Sequence, residues 1–283
     1  MSLLRHIQLC NEYRAERFLP LLHNTVRLGS IRRDNATTLR RFPDLFQVDD
    51  ASVTLLAGGG FERVSAAIDA AVEALIGDGL IPKWRNEFFA VAPRWGVAPH
   101  FRLDRGAVPF FGTRSYGVHL NGLRRDDGRL MLWVGRRAAD KKVAPNQLDN
   151  IVAGGIPWEL SVAETLVKEA QEEADIPALL AGRAMPVGAI SYRMETELGM
   201  RHDVLFLYDL EIPADFTPRN TDGEIASFML MPAAEVLERV RAGDEFKFNV
   251  NLVIIDFALR HGLVTPREPD YLDLVTGLRQ PLD

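Results

Sequence analysis

Three glutamates in the segment 154–177, GGIPWELSVAETLVKEAQEEADIP, have the residue type and the spacing of a cation site. Glu169, Glu172 and Glu173 stand at positions i, i+3 and i+4, which share one face of an α-helix. Mg²⁺ and Mn²⁺ prefer oxygen ligands, and a phosphate substrate can complete their coordination shell. The spacing therefore indicates a divalent-cation site. A solvated acidic surface is the alternative, because repulsion between exposed neighbours costs only about 0.2–0.5 kcal/mol per pair.

A glycine turn before this helix favours the cation site. Gly154 and Gly155 lead into a short loop, and Ser161 with Glu164 has the Ser-x-x-Glu pattern of a capping box. We expect the turn to hold the carboxylates against nearby backbone. Within the helix, Lys168 is expected to pair with Glu164 at i, i+4.

Further charged residues could belong to the same site. Glu224 ends the acidic turn 222–224, which is either a plain turn or the source of a fourth carboxylate or base. Arg136, Arg137 and Lys142 precede the glycine turn at the end of a predicted strand. Such cationic groups either hold phosphate oxygens or form a solvated basic loop.

Two ring side chains are candidates for the wall of a substrate site. Trp84 is predicted on a strand beside Arg85 and Glu87, where it is either a core residue or a contact for substrate. His119 alternates with Tyr116 along a predicted strand, which suits a core or site-wall role better than catalysis. The six histidines show no paired spacing of the kind that metal ligands have.

The acidic helix and its glycine turn resemble the signature of the Nudix family. The positions that match the signature are Gly154, Glu169, Ala170, Glu172, Glu173 and Ile176. Three positions depart from it, because Leu160 replaces the first glutamate, Lys168 replaces the arginine and Asp175 replaces the last glycine. The segments 84–91, 116–122, 148–157, 168–177 and 208–224 resemble one branch of the superfamily, in which this altered signature is usual. That branch is related to the N-terminal part of some thiamine pyrophosphokinases.

The resemblance implies a metal-dependent diphosphate hydrolase that uses Mg²⁺ or Mn²⁺. It implies that Glu169, Glu172 and Glu173 are metal ligands and that one of them, or Glu224, helps to activate water. The implied substrate is thiamine diphosphate or a damaged form of it. An ADP-ribose or nucleotide-sugar pyrophosphatase is the alternative among enzymes. A binding module without turnover is the alternative from another class, and the residues at 160 and 168 are its support.

The predicted elements form an α/β protein. We expect a Nudix-type α/β/α sandwich with a mixed sheet over residues 111–265, preceded by a smaller α+β domain over residues 1–110 that recognises substrate. Residues 266–283 are expected to form a C-terminal tail. Apolar residues at steps of three and four predict a helix that begins at Phe61. The turn 126–128 predicts a hairpin between strands 116–123 and 130–134.

Composition limits the classes of partner. The 283 residues include 33 Lys and Arg against 39 Asp and Glu, a net charge of −6 that speaks against nucleic-acid binding. No apolar run is long enough to span a membrane, and the N-terminus is too polar for a secretory leader. Cys10 is the single cysteine, so no intrachain disulfide forms and a reducing compartment fits. We therefore expect a cytoplasmic enzyme with a small-molecule substrate. The sequence leaves the oligomeric state open.

Overall fold

The computed structural model describes residues 2–282. The strands are Phe18–His23 (β1), Val26–Arg32 (β2), Phe46–Val48 (β3), Val53–Leu55 (β4), Phe88–Val91 (β5), Phe101–Asp104 (β6), Arg114–Asp126 (β7), Arg129–Arg137 (β8), Leu148–Asn150 (β9), Val152–Gly155 (β10), Met185–Glu195 (β11), Met200–Glu211 (β12) and Ile225–Pro232 (β13). The α-helices are Leu4–Cys10 (α1), Arg33–Leu39 (α2), Phe61–Gly77 (α3), Val108–Phe111 (α4), Val162–Ala174 (α5), Ala178–Ala181 (α6), Ala233–Ala242 (α7), Phe248–Arg260 (α8) and Tyr271–Gly277 (α9). Within the described range, the helices are too short or too polar to cross a membrane.

The first half of the chain builds its own small sheet and core. The strand order is β2-β1-β4-β3, with β1 antiparallel to β2 and parallel to β4. Helix α3 covers this sheet and confirms the predicted amphipathic pattern, because Val64, Ile68, Val72 and Leu75 are all buried. It begins after Gly60, whose φ of +91° is a conformation that favours glycine. The hairpin β5–β6 extends from this half toward the second sheet.

A larger mixed sheet forms the second half. Its strand order is β11-β12-β7-β8-β13, and β9 and β10 pair with β8 and β7. The pair β12–β7 is parallel and its neighbours are antiparallel. The predicted hairpin is confirmed as β7–β8. Its turn uses Asp127 and Gly128, both with positive φ, at 48° and 77°.

Helices cover both faces of the large sheet, which confirms the α/β/α sandwich. One face carries a core with α7 and α8, and the other carries a core with α5 and α6. Residues from α1 and α9 also pack into the first of these cores, although they lie outside the range 111–265. The division into 1–110, 111–265 and 266–283 stays a prediction.

The loop before β5 differs from its predicted structure. A strand was expected at Trp84–Glu87, but β5 begins only at Phe88. The buried carboxylate of Asp104 accepts the backbone N–H groups of Arg85 and Asn86 at 3.0 and 2.9 Å, in place of a neighbouring strand. This loop lies beside the glycine turn, because the N–H of Trp158 donates to the Phe88 carbonyl at 2.9 Å.

Candidate active site

The acidic helix α5 is anchored at its start by the predicted capping box. The Ser161 hydroxyl accepts the N–H of Glu164 at 3.2 Å, and the Glu164 carboxylate accepts the N–H of Ser161 at 2.9 Å. The predicted pair between Glu164 and Lys168 is wrong, since the capping box occupies that carboxylate. Lys168 instead contacts Glu172 at 2.5 Å and Glu169 at 3.4 Å. Its ammonium therefore lies between two of the three predicted metal ligands.

The glycine turn holds two of the carboxylates against backbone. The Glu173 carboxylate accepts the N–H of Ala153 at 2.8 Å. Glu169 lies directly over Gly154, where an added Cβ would come within 2.4 Å of the Glu169 Cγ. Any larger residue at 154 must therefore displace this side chain. An added Cβ at Gly155 would lie 2.5 Å from the Phe89 ring. The absence of a side chain at Gly155 therefore lets Phe89, from the first half of the chain, pack against this turn.

The three carboxylates differ in exposure. Glu173 is buried at 5% exposure, while the Glu172 side chain is 47% exposed. Burial raises the pKa of Glu173 well above its usual range, and the charges of Asp149 and Glu169 add to this, against the hydrogen bond from Ala153. Burial also raises the pKa of Glu169, against the opposing charge of Lys168.

The donor set suits a hard divalent cation. All the predicted ligands are carboxylate oxygens, which Mg²⁺ and Mn²⁺ prefer. Burial raises the pKa of two of these carboxyl groups, and neighbouring carboxylates add to the effect. Among residues 2–282, however, no three His, Cys, Asp or Glu side chains already surround a common point. These residues have the ligand chemistry that the ion requires, but their side chains are not already arranged around one metal position.

A cavity of about 650 Å³ lies between the two halves of the chain, beside α5. The predicted site residues that line it are Glu169, Glu172, Glu173, Glu224, Arg137, His119, Gly154 and Gly155. The first half contributes the loop residues Asn86 and Glu87 and the side chains of Phe88, Phe89 and Arg105. The Glu87 carboxylate pairs with Arg105 at 2.6 Å at this wall. The sequence analysis named this glutamate only as a neighbour of Trp84 on a predicted strand.

Three predicted substrate contacts lie elsewhere in the described structure. Arg136 and Arg137 are neighbours on β8 and so point to opposite faces, and Arg136 turns toward Glu245 and the Asn146 carbonyl. Lys142 is exposed on the following loop. Trp84 packs at the edge of the first core, with its ring 6.2 Å from that of Phe88. The cavity lining leaves out all three, because strand alternation and packing direct them away from it.

His119 and Glu224 are at the cavity in different environments. His119 is buried on β7, and its Nδ1 lies 2.8 Å from the Asn150 Oδ1. Burial lowers the pKa of His119 to about 4, so it is a neutral wall residue at pH 7. Glu224 forms an ion pair with Lys141. The loop that carries it docks on the end of α5, where the Thr221 hydroxyl donates to the Glu172 carbonyl at 2.5 Å.

A part of the cavity wall outside α5 is basic, and the sequence analysis missed most of it. We call Arg137, Lys247 and Arg201 the cationic floor, since all three line the cavity. Arg137 pairs with the buried Asp149 at 2.7 Å, and Lys247 lies 3.4 Å from the same carboxylate. Burial lowers the pKa of Lys247, against the attraction of Asp149. Burial opposes ionisation of Asp149, but Lys247, His119 and Arg137 together lower its pKa.

Comparison with known proteins assigns both halves of the chain. Residues 114–250 match the NUDIX domain, and residues 2–115 match a domain of unknown function, DUF4743. The chain is 41% identical over 266 residues to Nudix hydrolase 24, chloroplastic, of Arabidopsis thaliana, covering 93% of this chain and 73% of the relative. The chain belongs to the Nudix hydrolase family. An uncharacterized Saccharomyces cerevisiae protein is 32% identical over 261 residues, with 85% and 75% of the two chains covered.

Solved structures align with part of this chain at low sequence identity. DR0079 of Deinococcus radiodurans has a TM-score of 0.46 at 22% identity and covers 60% of this chain and 97% of its own. The NUDIX domain of Shewanella oneidensis NrtR, complexed with ADP ribose, has a TM-score of 0.42 at 14% identity and covers 57% and 94%.

These findings confirm the Nudix resemblance and the prediction of an enzyme, and they correct another prediction. Nudix hydrolase 20 of Arabidopsis thaliana, also 41% identical over 93% of this chain, carries the name chloroplastic like its relative. The prediction of a cytoplasmic protein is therefore wrong. The relation to thiamine pyrophosphokinases is not shown by these matches and stays a prediction.

Proposed function

We propose that this Nudix hydrolase cleaves a small-molecule diphosphate in the cavity beside α5, with Mg²⁺ or Mn²⁺ held by Glu169, Glu172 and Glu173. The observation that carries this proposal is the packing of Glu169 and Glu173 against the glycine turn, where burial, with added repulsion from neighbouring carboxylates, raises the pKa of both. A divalent cation would relieve that crowding. When bound, it would neutralise diphosphate oxygens and lower the pKa of a bound water.

The residues of the chain itself have distinct proposed roles. Gly154 leaves the space that Glu169 occupies, and Lys168 orients Glu169 and Glu172 from the exposed side of the helix. Glu224, held by Lys141, is proposed to assist the attacking water as a base. In the reaction, a water oxygen bonds to phosphorus and the bridging P–O bond breaks. The products are a monophosphate, inorganic phosphate and one proton.

The proposed substrate is thiamine diphosphate or a damaged analogue. The support for it is the resemblance across both halves of the chain, together with the contribution of the first half to the cavity wall. Phe88, Phe89, Tyr116 and Trp158 supply aromatic surface there. An aromatic face can stack on a cationic thiazolium ring. We propose that residues 1–110 recognise the organic part of the substrate in this way.

Competitive turnover tests the substrate. Thiamine diphosphate, its oxo and oxy analogues, ADP-ribose and nucleoside diphosphates are supplied at equal concentration with Mg²⁺, and each product is quantified. We expect a thiamine compound to have the highest kcat/KM. If ADP-ribose leads by tenfold, a margin of about 1.4 kcal/mol, the thiamine assignment is wrong and a pyrophosphatase of the ADP-ribose type replaces it.

Metal removal tests the cofactor independently of the substrate. Dialysis against EDTA should abolish turnover of whichever diphosphate is hydrolysed, and added Mg²⁺ or Mn²⁺ should restore it. Full activity of the metal-free enzyme, checked by elemental analysis, would contradict the proposed role of the carboxylates on α5.

A further inference from the structure

The cationic floor contains more positive charges than the carboxylates that pair with it can neutralise. Three cations, Arg137, Lys247 and Arg201, face two buried carboxylates, Asp149 and Asp203. The charge of Glu173 also acts on Lys247, but the proposed function assigns that carboxylate to the metal. The difference, 3 − 2, then leaves about one positive charge beside the cavity. The Lys247 side chain is only 14% exposed, and a positive charge with so little contact with water is costly unless it is compensated, so an anionic group of a ligand is expected there.

Two of these cations have hydrogen-bonding capacity to spare. Asp149 is already satisfied by Arg137 at 2.7 Å, and Lys247 approaches the same oxygen only to 3.4 Å. Asp203 is likewise satisfied by the hydroxyls of Ser115 and Tyr192, at 2.6 and 2.5 Å. Because these short bonds engage the carboxylates, Lys247 keeps N–H donors for a ligand.

Arg201, on β12, has a similar arrangement. Its Nη1 approaches Asp203 only to 3.4 Å, and it also interacts with the Tyr192 hydroxyl. A guanidinium has five N–H donors in a planar fork, so these contacts leave others for a ligand in the cavity. Arg137 differs, because its donors already engage Asp149 and the carbonyls of Val143 and Ala144.

An uncompensated acceptor lies beside the two cations. Asn249 is 5% exposed, lines the cavity, and donates its Nδ2 to the Tyr192 hydroxyl at 3.4 Å. Its Oδ1 has no hydrogen-bond partner within residues 2–282. A ligand that offers both anionic oxygens and one O–H would satisfy Lys247, Arg201 and Asn249 together. A hydrogen phosphate group has this combination.

We propose that Lys247 and Arg201 form a phosphate subsite, distinct from the carboxylates of α5, that receives the terminal phosphate of the substrate. The inference rests on the proposed function, which assigns the other phosphate of the substrate to the metal held by the carboxylates of α5. A terminal phosphate carries up to two charges and three free oxygens, whereas the esterified phosphate of an ADP-ribose type compound carries one charge and a bulky substituent. The floor therefore selects compounds with a free terminal diphosphate.

Binding of inorganic phosphate without metal tests the subsite directly. Calorimetry in EDTA compares the wild type with Lys247→Met, Arg201→Gln and Arg129→Gln. The last is a matched control that removes an exposed charge at the β7–β8 turn. We expect the first two variants to lose at least tenfold in affinity, about 1.4 kcal/mol, and the control to match the wild type. Equal affinity in all four proteins, or no binding by the wild type, would overturn the proposal.

Folding and function are separated by further variants. Lys247→Arg should retain phosphate binding, because it keeps the charge, and melting curves report whether Lys247→Met folds. If that variant does not fold, Arg201→Gln carries the test, since Asp203 keeps its two hydroxyl donors. Glu173→Gln should bind phosphate in EDTA like the wild type. Phosphate binding by an enzyme that hydrolyses no diphosphate would refute the proposed function but leave the subsite intact.

Substrate kinetics provide the second readout. Lys247→Met should raise the KM for ADP, which has a free terminal phosphate, at least tenfold over the wild type. The KM for ADP-ribose should change less than threefold in the same variant. An equal rise for both compounds would contradict selection of a terminal phosphate.

Discussion

Substitution of Gly154 by alanine is a sharp test of how the active site is assembled. The added Cβ would lie 2.4 Å from the Glu169 Cγ and 2.8 Å from its Oε2, whereas ordinary contact begins at 3.4 Å. The Glu169 side chain must therefore move by about 1 Å, a misplacement that can cost about 100-fold in rate. We expect kcat/KM to fall by about that factor, or about 2.7 kcal/mol of transition-state stabilisation.

The assay compares kcat/KM with Mg²⁺ for Gly154→Ala and for Gly58→Ala. A Cβ at Gly58 meets nothing within 4 Å, and this glycine does not line the cavity. The Gly58→Ala variant should therefore keep wild-type activity. Overpacking of Gly154→Ala should also lower the free energy of unfolding by about 1–3 kcal/mol, measured by urea titration. Wild-type kcat/KM in a folded Gly154→Ala enzyme would refute the argument that this glycine positions Glu169.

Three further predictions concern single groups of the site. Glu173→Gln keeps an acceptor for the Ala153 N–H but carries no negative charge. It should therefore have the melting temperature of the control Glu238→Gln but lose Mg²⁺-dependent turnover. Near wild-type rates in excess metal would contradict the assignment of Glu173 as a metal ligand. Glu224→Gln should reduce kcat less than Glu173→Gln, because Glu224 is proposed to assist and not to hold the metal, and a larger loss would reverse these roles. The pKa of His119 is lowered to about 4 by burial, so the folded state binds fewer protons than the unfolded state below pH 6.5. The free energy of unfolding should therefore fall by about 3 kcal/mol as the pH falls from 6.5 toward 4. Urea titrations of His119→Gln should show a flatter pH dependence.

The first half of the chain forms part of the cavity wall itself. Phe89 packs where Gly155 lacks a side chain, and Glu87 reaches the same wall as Glu169. The cavity beside α5 is therefore lined by both halves. This arrangement agrees with relatives that match over both regions of the chain.

Local patterns in the sequence determined the parts of the site that lie on one element. The capping box at Ser161, the i, i+3, i+4 glutamates and the glycine turn all act within about twenty residues, and the structure shows each where it was expected. The sandwich fold was predicted from the order of strands and helices in the second half, and the Nudix resemblance from this segment together with flanking segments of both halves. The capping box and the helical spacing of the glutamates can be predicted from sequence because helix periodicity and capping depend only on neighbours along the chain.

Only the tertiary structure decided which charged groups meet in the cavity. Lys247 lies 98 residues from Asp149, and Glu87 approaches Gly155 from the loop before β5. The sequence could not separate Arg137 from Arg136 either, because the face that each presents depends on how β8 is packed. Burial likewise divided three equivalent-looking glutamates into a buried, an intermediate and an exposed one. The physical reason is that long-range packing sets exposure and neighbouring charge, and these set the pKa values and the geometry of the site.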